Sequence, residues 1–410
     1  MEREAILVAI DVGTSKVVTL IGEVTRDGAL TIIGKGSPAS SGLKKGVVIN
    51  IDQTVGSIRA AREQAERLSG YRLESAIVAV GGNHVESQNS RGAVAVSGPR
   101  REVTHEDIDR ATEVARAVTI PSNREVLHVI PRGYVVDGQE GVKDPLGMSA
   151  VRLEVETHIV HAGATAVQNL SKCVQRADIR IDELVAASLA SGDAVLSETE
   201  RELGVAVADF GAGTIDLALF LDGSPFHTAV LPLGGNNVTN DVAIGLKTSL
   251  TVAEELKIGH GTADPASVDS GEQVEVETLG EGGRTASRLE LAQIIEARMR
   301  EVFEKIADQM ARAGSAGRLP AGLVLTGGAA ELTGAAQLGR EVLQMPVRVA
   351  GPSGVGGLTD DLLTPAFSTS LGLLLWGARQ VRGEEPLRYE SAAAPGVINR
   401  MRDWFRGLFP

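Results

Sequence analysis

Two stretches of this 410-residue chain end an apolar run with an aspartate followed by glycine. The first reads Ile10-Asp11-Val12-Gly13-Thr14-Ser15-Lys16, and the second Ala208-Asp209-Phe210-Gly211-Ala212-Gly213-Thr214. Glycine has no Cβ, so backbone N–H groups beside it can close around a phosphate. An aspartate at the strand end could hold Mg2+ through water, since Mg2+ favours one or two carboxylates plus phosphate oxygens. Either stretch alone reads as well as a plain hairpin. Overlaying Asp11 on Asp209 places Gly13 on Gly211 and Lys16 on Thr214. That duplication predicts two similar lobes gripping one nucleotide. Lys16 has no Walker A pattern around it, which excludes a P-loop and leaves it as a point charge against β/γ-phosphates.

Three further stretches carry chemistry more weakly. Gly234 and Gly235 precede a predicted helix at 238–246, and a helix N-terminus opened by glycines is a ready anion site. Glu254 and Lys257 are three apart on a predicted helix at 252–258 and so share a face, as an ordinary surface pair also would. Gly327 and Gly328 follow a predicted strand at 322–325, where close backbone approach lets a flat base lie against the chain. The seven histidines show no metal-ligand spacing, and His158 and His161 fall in a strand pattern as structural residues. No G-x-S-x-G or Cys/His dyad indicates covalent catalysis.

The elements that must position these residues follow from hydrophobic periodicity. Strands at 5–10, 17–24 and 30–34 form a meander, then a helix at 52–68 and a strand at 75–80. Asp52 is the expected N-cap of that helix and Gly70 its stop. From 83 to 161 the pattern changes to polar-alternating strands at 85–89, 93–97, 125–136 and 150–160, with a helix at 105–118 behind Thr104. This is an inserted α+β subdomain without a catalytic cluster, suited to contact with other chains. A helix at 164–178, a strand at 180–186 and a helix at 187–196 return to the core, and 197–203 is a charged connector. The apolar run to Leu221 ends at Asp222-Gly223, a hairpin signal. Beyond it lie a strand at 273–279, helices at 288–313, 331–343 and 365–382, and a strand at 347–350.

Composition narrows the function classes. With 43% hydrophobic and 23% charged residues, the chain is an ordinary globular protein long enough for two or more cores. Aromatic residues at 3% and a net charge of -13 argue against a nucleic-acid surface. The single cysteine, Cys173, reads as a buried apolar residue and fits a reducing compartment. The acidic start runs directly into a strand and is not expected to be a signal peptide.

The end of the chain differs from the rest. Residues 383–396 have linker character. Val397, Ile398, Met401, Trp404, Phe405, Leu408 and Phe409 then recur at helical spacing, with Arg400, Arg402 and Arg406 on the other face. Such a helix docks on its own protein or lies in a membrane interface. The linker, the aromatics and the positive charge favour a surface of anionic lipids. So short a helix binds weakly alone, and polymerisation would strengthen its attachment.

The segments IDVGTSKV, VADFGAGTIDLA, GGNNVTNDVA, AEELKIGHG, VLTGGAAELTG, FSTSLGLLLWG and VINRMRDWFRGLF together resemble the FtsA family of bacterial actin-like division proteins, along essentially the whole chain. The resemblance implies an α/β actin-like ATPase fold, with two duplicated lobes around a nucleotide cleft, an inserted α+β subdomain and a C-terminal amphipathic helix. The first lobe would span 1–82 and 162–204, the insert 83–161, the second lobe 205–245 and 315–382, and a small lobe 246–314. The linker would be 383–396 and the membrane helix 397–410.

The same resemblance implies roles for individual residues. Asp11, Gly13, Thr14, Ser15 and Lys16 would form one phosphate site. Asp209, Gly211, Gly213 and Thr214 would form the other, with Gly234 and Gly235 nearby. Asp11 and Asp209 would hold Mg2+ through water. Glu254 and Lys257 would contact the nucleoside of ATP, and Gly327, Gly328 and Ala329 would line the base pocket. Glu183 stands where related ATPases position water. The small lobe would receive the FtsZ C-terminal tail, with Arg298 pairing with its acidic groups. The chain would polymerise and tether FtsZ filaments to the cytoplasmic face of the membrane at the division site, and its insert would recruit later division proteins. The alternatives are a PilM-like pilus assembly protein and a small-molecule kinase of the same superfamily.

Overall fold

The computed structural model describes residues 5–25, 28–97, 100–118, 120–278, 282–358 and 361–383. The expected membrane helix and nearly all of the linker lie outside the described residues.

Two sheets share one strand plan. In the first lobe the order is Arg180–Ala186, Ser75–Val80, Ala5–Val12, Val17–Val24, Leu30–Gly36. In the second it is Val347–Val349, Leu323–Thr326, Val205–Phe210, Ile215–Leu221, Ser224–Leu231. Each meander is antiparallel, and the two strands beyond it pair in parallel. The duplication read from two short stretches therefore extends to whole lobes. Asp222 (φ 55) and Gly223 (φ 83) make the left-handed turn that the second hairpin needs.

Local chemistry sets the helix starts. Helix Ile51–Ser69 is capped by Asn50, whose side chain accepts from the Gln53 N–H at 3.1 Å. Asp52 is therefore not the cap: Asn50 has the extended backbone a cap requires, and Asp52 lies in the first turn and pairs with Arg176 at 2.8 Å. Gly70 ends the helix at φ 68. Helix His105–Arg116 begins at Thr104, which forms a capping box with Asp107. The charged connector is itself a short helix, Glu198–Leu203, with Ser197 and Glu200 in a second capping box. The expected helix at 331–343 is shorter, Ala335–Leu343, because Gly334 adopts φ 80 at its start.

Val85–Ala95 is one continuous strand where two were expected. Gly92 marks no turn there: a Cβ on it would lie 2.1 Å from the Ala111 carbonyl oxygen, so its bareness admits the capped helix. This strand joins the insert to the second lobe's sheet beside Ser224–Leu231. Ser87 Oγ donates to the Thr228 carbonyl and accepts from the Thr228 N–H, both at 2.8 Å. Asn89 donates to the Phe226 carbonyl at 3.0 Å, and the buried His158 bridges Asn89 (2.7 Å) and Thr228 (3.0 Å). His161 accepts from Arg124 at 2.7 Å, so both histidines serve structure.

Helix Ser368–Arg382 packs between the lobes with most of its first ten residues buried. Gly372 lies against the Ala190 backbone, where a Cβ would meet the carbonyl oxygen at 1.8 Å. Cys173 is buried in the first lobe's core. Among the described residues no helix is long and apolar enough to cross a membrane.

Candidate nucleotide cleft

The two aspartate–glycine hairpins face each other across a cleft of about 510 Å³. Their turns are built alike: the Gly13 N–H donates to the Lys16 carbonyl and the Gly211 N–H to the Thr214 carbonyl, each at 3.0 Å. The hairpins also touch. A Cβ on Gly213 would lie 2.7 Å from Thr14 Oγ1 and 3.2 Å from Lys45 Cα, so the bare glycine is what lets the lobes meet there. Thr14 Oγ1 accepts in turn from the Gly46 N–H at 3.3 Å. Asp11, Gly13, Thr14, Ser15 and Lys16 line one side of the cleft, and Asp209, Gly211, Gly213 and Thr214 the other.

Glu254, Lys257, Gly327, Gly328 and Ala329 line the same cleft. Lys257 donates to Glu254 at 2.7 Å and to Thr239 Oγ1 at 2.9 Å, a buried-side network that fixes both charged groups. Gly327 has φ 84, and a Cβ there would lie 2.3 Å from Asp209 Oδ1. No L side chain fits that position.

Gly235 and Asn236 line the cleft, and Gly234 stands just outside its lining. The N–H groups of Gly235 and Asn236, at the head of helix Gly235–Leu246, donate to the Gly211 and Ala212 carbonyls at 3.0 and 2.8 Å. These donors brace the second hairpin. Gly234 itself is packed so that a Cβ would meet the Ala212 carbonyl oxygen at 2.4 Å.

Glu183 is also absent from the cleft. It is 8% exposed, and its carboxylate accepts from Trp376 Nε1 at 3.1 Å and Gln380 Nε2 at 2.8 Å. The carboxylate anchors helix Ser368–Arg382. Arg298 is likewise engaged within its own chain, with two bonds to Asp241 (2.5 and 3.1 Å) and one to Glu301.

Sequence reasoning missed Asp216. It lines the cleft, accepts from Thr214 Oγ1 at 3.0 Å and is bonded by the Gly82 backbone. The signal was available: seven residues after Asp209 stands an aspartate, where the first hairpin has Val18 seven after Asp11. Burial, and next the charge of Asp209, push Asp11 up to about 7, with Lys16 opposing. Burial and Asp209 push Asp216 up to about 7 against the Thr214 bond. Burial takes Asp209 up to about 6, against the Thr369 hydrogen bond and Lys16. Burial pulls the Lys16 ammonium below its ordinary value, with Asp11 opposing.

The donor set is all oxygen, which suits a hard cation. No group of three acidic or His/Cys side chains among the described residues converges closely enough to ligate a metal directly. One or two carboxylates acting through water, with phosphate oxygens completing the shell, fit this geometry.

Comparison with known proteins decides the family. The family described as "Cell division protein FtsA" matches residues 206–372, and the "SHS2 domain inserted in FTSA" matches 82–161. The FtsA of Pseudomonas aeruginosa is 43% identical over 98% of both chains. The chain belongs to the FtsA family of cell division proteins. Its relatives include the FtsA of Bacillus subtilis, 42% identical over 93% of this chain and 86% of that one, and of Escherichia coli, 37% identical over 98% of both. The fold is the actin-like ATPase fold. A PilM–PilN type IV pilus biogenesis complex matches with TM-score 0.66 at 18% identity, covering 92% of this chain and 99% of that one. MreB5 of Spiroplasma citri bound to ADP matches with TM-score 0.53 at 13% identity, covering 92% and 98%. These distant likenesses concern fold alone. The FtsA sequence relatives are what separate this chain from the pilus and kinase alternatives.

Proposed function

We propose that this FtsA-family chain binds ATP between its lobes, polymerises, and holds FtsZ filaments against the cytoplasmic face of the membrane. The observation that carries the reading is the cleft itself: two hairpins of identical turn geometry, brought into contact at Thr14 and Gly213, on lobes of identical strand order. A nucleotide between them would be gripped by both lobes, so its occupancy would govern their relative orientation and hence assembly.

Within the cleft, the backbone around Gly13 and Gly211 would approach the phosphates, and Lys16 would supply a positive charge. Asp11, Asp209 and Asp216 would hold Mg2+ through water; the ion neutralises charge on the β- and γ-phosphates when bound. Glu254 and Lys257 would meet the nucleoside, with the base against Gly327, Gly328 and Ala329. Because the Glu183 carboxylate is engaged by Trp376 and Gln380, nucleotide-gated assembly ranks above rapid hydrolysis in this reading.

The membrane contact rests on residues 397–410, whose apolar stripe and opposing arginines suit anionic lipid. The insert offers a surface for later division proteins. Co-sedimentation with anionic liposomes and FtsZ, with and without ATP, tests the whole proposal. ATP should increase pelleted protein, and deletion of 397–410 should abolish lipid pelleting. Unchanged sedimentation of the deletion variant with lipid would overturn the tether.

A further inference from the structure

We propose that Phe367 is the positioning residue for Lys16, seating its ammonium at the cleft wall where a polyphosphate would meet it; this deepens, and rests on, the nucleotide-binding reading above. Lys16 Nζ lies 3.6 Å from the centroid of the Phe367 ring. Lys16 lines the cleft, as do Ala366 and Ser368, but Phe367 does not. The ammonium thus borders the cleft while the ring beneath it lies outside the lining.

A lysine is a compact charge on a flexible four-carbon stem, so without a seat its ammonium samples many positions. A carboxylate could seat it, but would also neutralise the charge a phosphate needs. An aromatic face attracts the ammonium through its quadrupole and leaves the full charge available. Lys35 lies over the same ring, 4.8 Å from the centroid, and pairs with Asp361 at 3.9 Å.

Phe367 is itself held in place. Its N–H donates to the Thr364 carbonyl at 3.1 Å, and its own carbonyl accepts from Ser370 Oγ at 3.0 Å. The residues around it reach the rest of the cleft. Thr369 Oγ1 donates to Asp209, and the Pro365 carbonyl accepts from the Gly327 N–H at 3.0 Å. The run Pro365–Thr369 thus touches the first hairpin through Phe367, the second through Thr369 and the base-side turn through Pro365. The head of helix Ser368–Arg382 becomes part of the phosphate site.

Titration calorimetry with ATP and with adenosine tests this, on wild type, Phe367→Leu, Lys16→Met and the double variant. Phe367→Leu should weaken ATP binding about 3- to 30-fold and leave adenosine binding unchanged. In the Lys16→Met background the same substitution should add no further loss. Graded fluorination of the Phe367 ring, which weakens the quadrupole while nearly preserving shape, should lower ATP affinity stepwise even if the leucine variant folds poorly. Equal ATP affinity across the fluorinated series, or equal loss for ATP and adenosine, would overturn the role of the ring. Wild-type protein that fails to bind ATP at all would instead overturn the underlying nucleotide reading.

Discussion

Asp216 lies directly opposite Asp209 in the antiparallel register of the second hairpin, so two carboxylates share one face of the sheet at the cleft wall. The corresponding pair in the first hairpin is Asp11 and Val18. The duplicated lobes are thus alike in backbone and unlike in charge. Asp11, Asp209 and Asp216 stand in one cleft with Lys16, and like charges so placed disfavour ionisation unless a cation joins them.

Stability should fall with rising pH when cation and nucleotide are withheld. Carboxyls raised to about 7 (Asp11, Asp216) and about 6 (Asp209) bind more protons folded than unfolded between pH 4 and 7. Their contribution is therefore present below the ordinary carboxylate range and is lost as pH rises through 6–7. Thermal melts in EDTA should show higher stability at about pH 5 than at about pH 8 once other groups are matched by an Asp11→Asn/Asp216→Asn control. Mg-ATP should bind more tightly as pH rises over the same range and should release protons. A Mg-ATP affinity that fell with pH would refute this account.

Asp216→Asn should separate stability from function. The amide can keep partners at Thr214 and Gly82 while removing the like charge opposite Asp209. The apo protein should gain about 1 kcal/mol, roughly 1 °C in Tm, and lose about tenfold in Mg-dependent ATP affinity. Calorimetry and ATP titration in the presence and absence of Mg2+ read both effects.

Gly327→Ala and Gly70→Ala should behave differently although both glycines have positive φ. Gly70 has open space around its Cα, so alanine costs about 1 kcal/mol of backbone strain and nothing at the cleft. Gly327 would add a collision with Asp209 Oδ1 and the Phe210 carbonyl. Its variant should be destabilised by about 2–4 kcal/mol and lose ATP binding. Equal melting shifts and equal ATP affinities in the two variants would contradict the packing argument.

Arg298→Glu should destabilise the small lobe before it informs on any partner. The guanidinium, 23% exposed, pairs with Asp241 and Glu301, and a glutamate would bring three acids together. After allowance for solvent screening, a loss of about 1 kcal/mol is expected. A melting curve must therefore accompany any measurement of FtsZ tail binding, and Arg298→Gln is the gentler variant.

The cleft was legible in the sequence because its parts obey strong local rules. Aspartate–glycine turns after apolar runs and Gly-Gly after a strand identify themselves, and their repetition revealed the lobes. Asp216 was missed because an aspartate in a returning strand looks like an ordinary outward residue until its register is known. The partners of Glu183 and Arg298 were hidden for a related reason: only tertiary packing brings Trp376, Gln380 and Asp241 to them. Strand Ser224–Leu231 was overlooked because Pro225 and His227 interrupt its apolar pattern. Phe367 gave no signal at all, since a ring beneath a lysine has no spacing rule.

The insert belongs to two lobes by two different criteria. Its chain leaves the first lobe at Gly82 and returns at Gly163, yet Ser87, Asn89 and His158 fasten it to the second lobe's outer strand. It is bonded on both sides, since the Ala186 N–H of the first lobe also donates to His128 at 3.0 Å and the Ala164 N–H to the Asn123 carbonyl at 2.9 Å. The insert therefore bridges the two lobes, and Gly82 (φ 106), where it begins, also bonds Asp216 in the cleft through its backbone. A load placed on the insert would thus be felt by both lobes and, through Gly82 and Asp216, at the cleft between them.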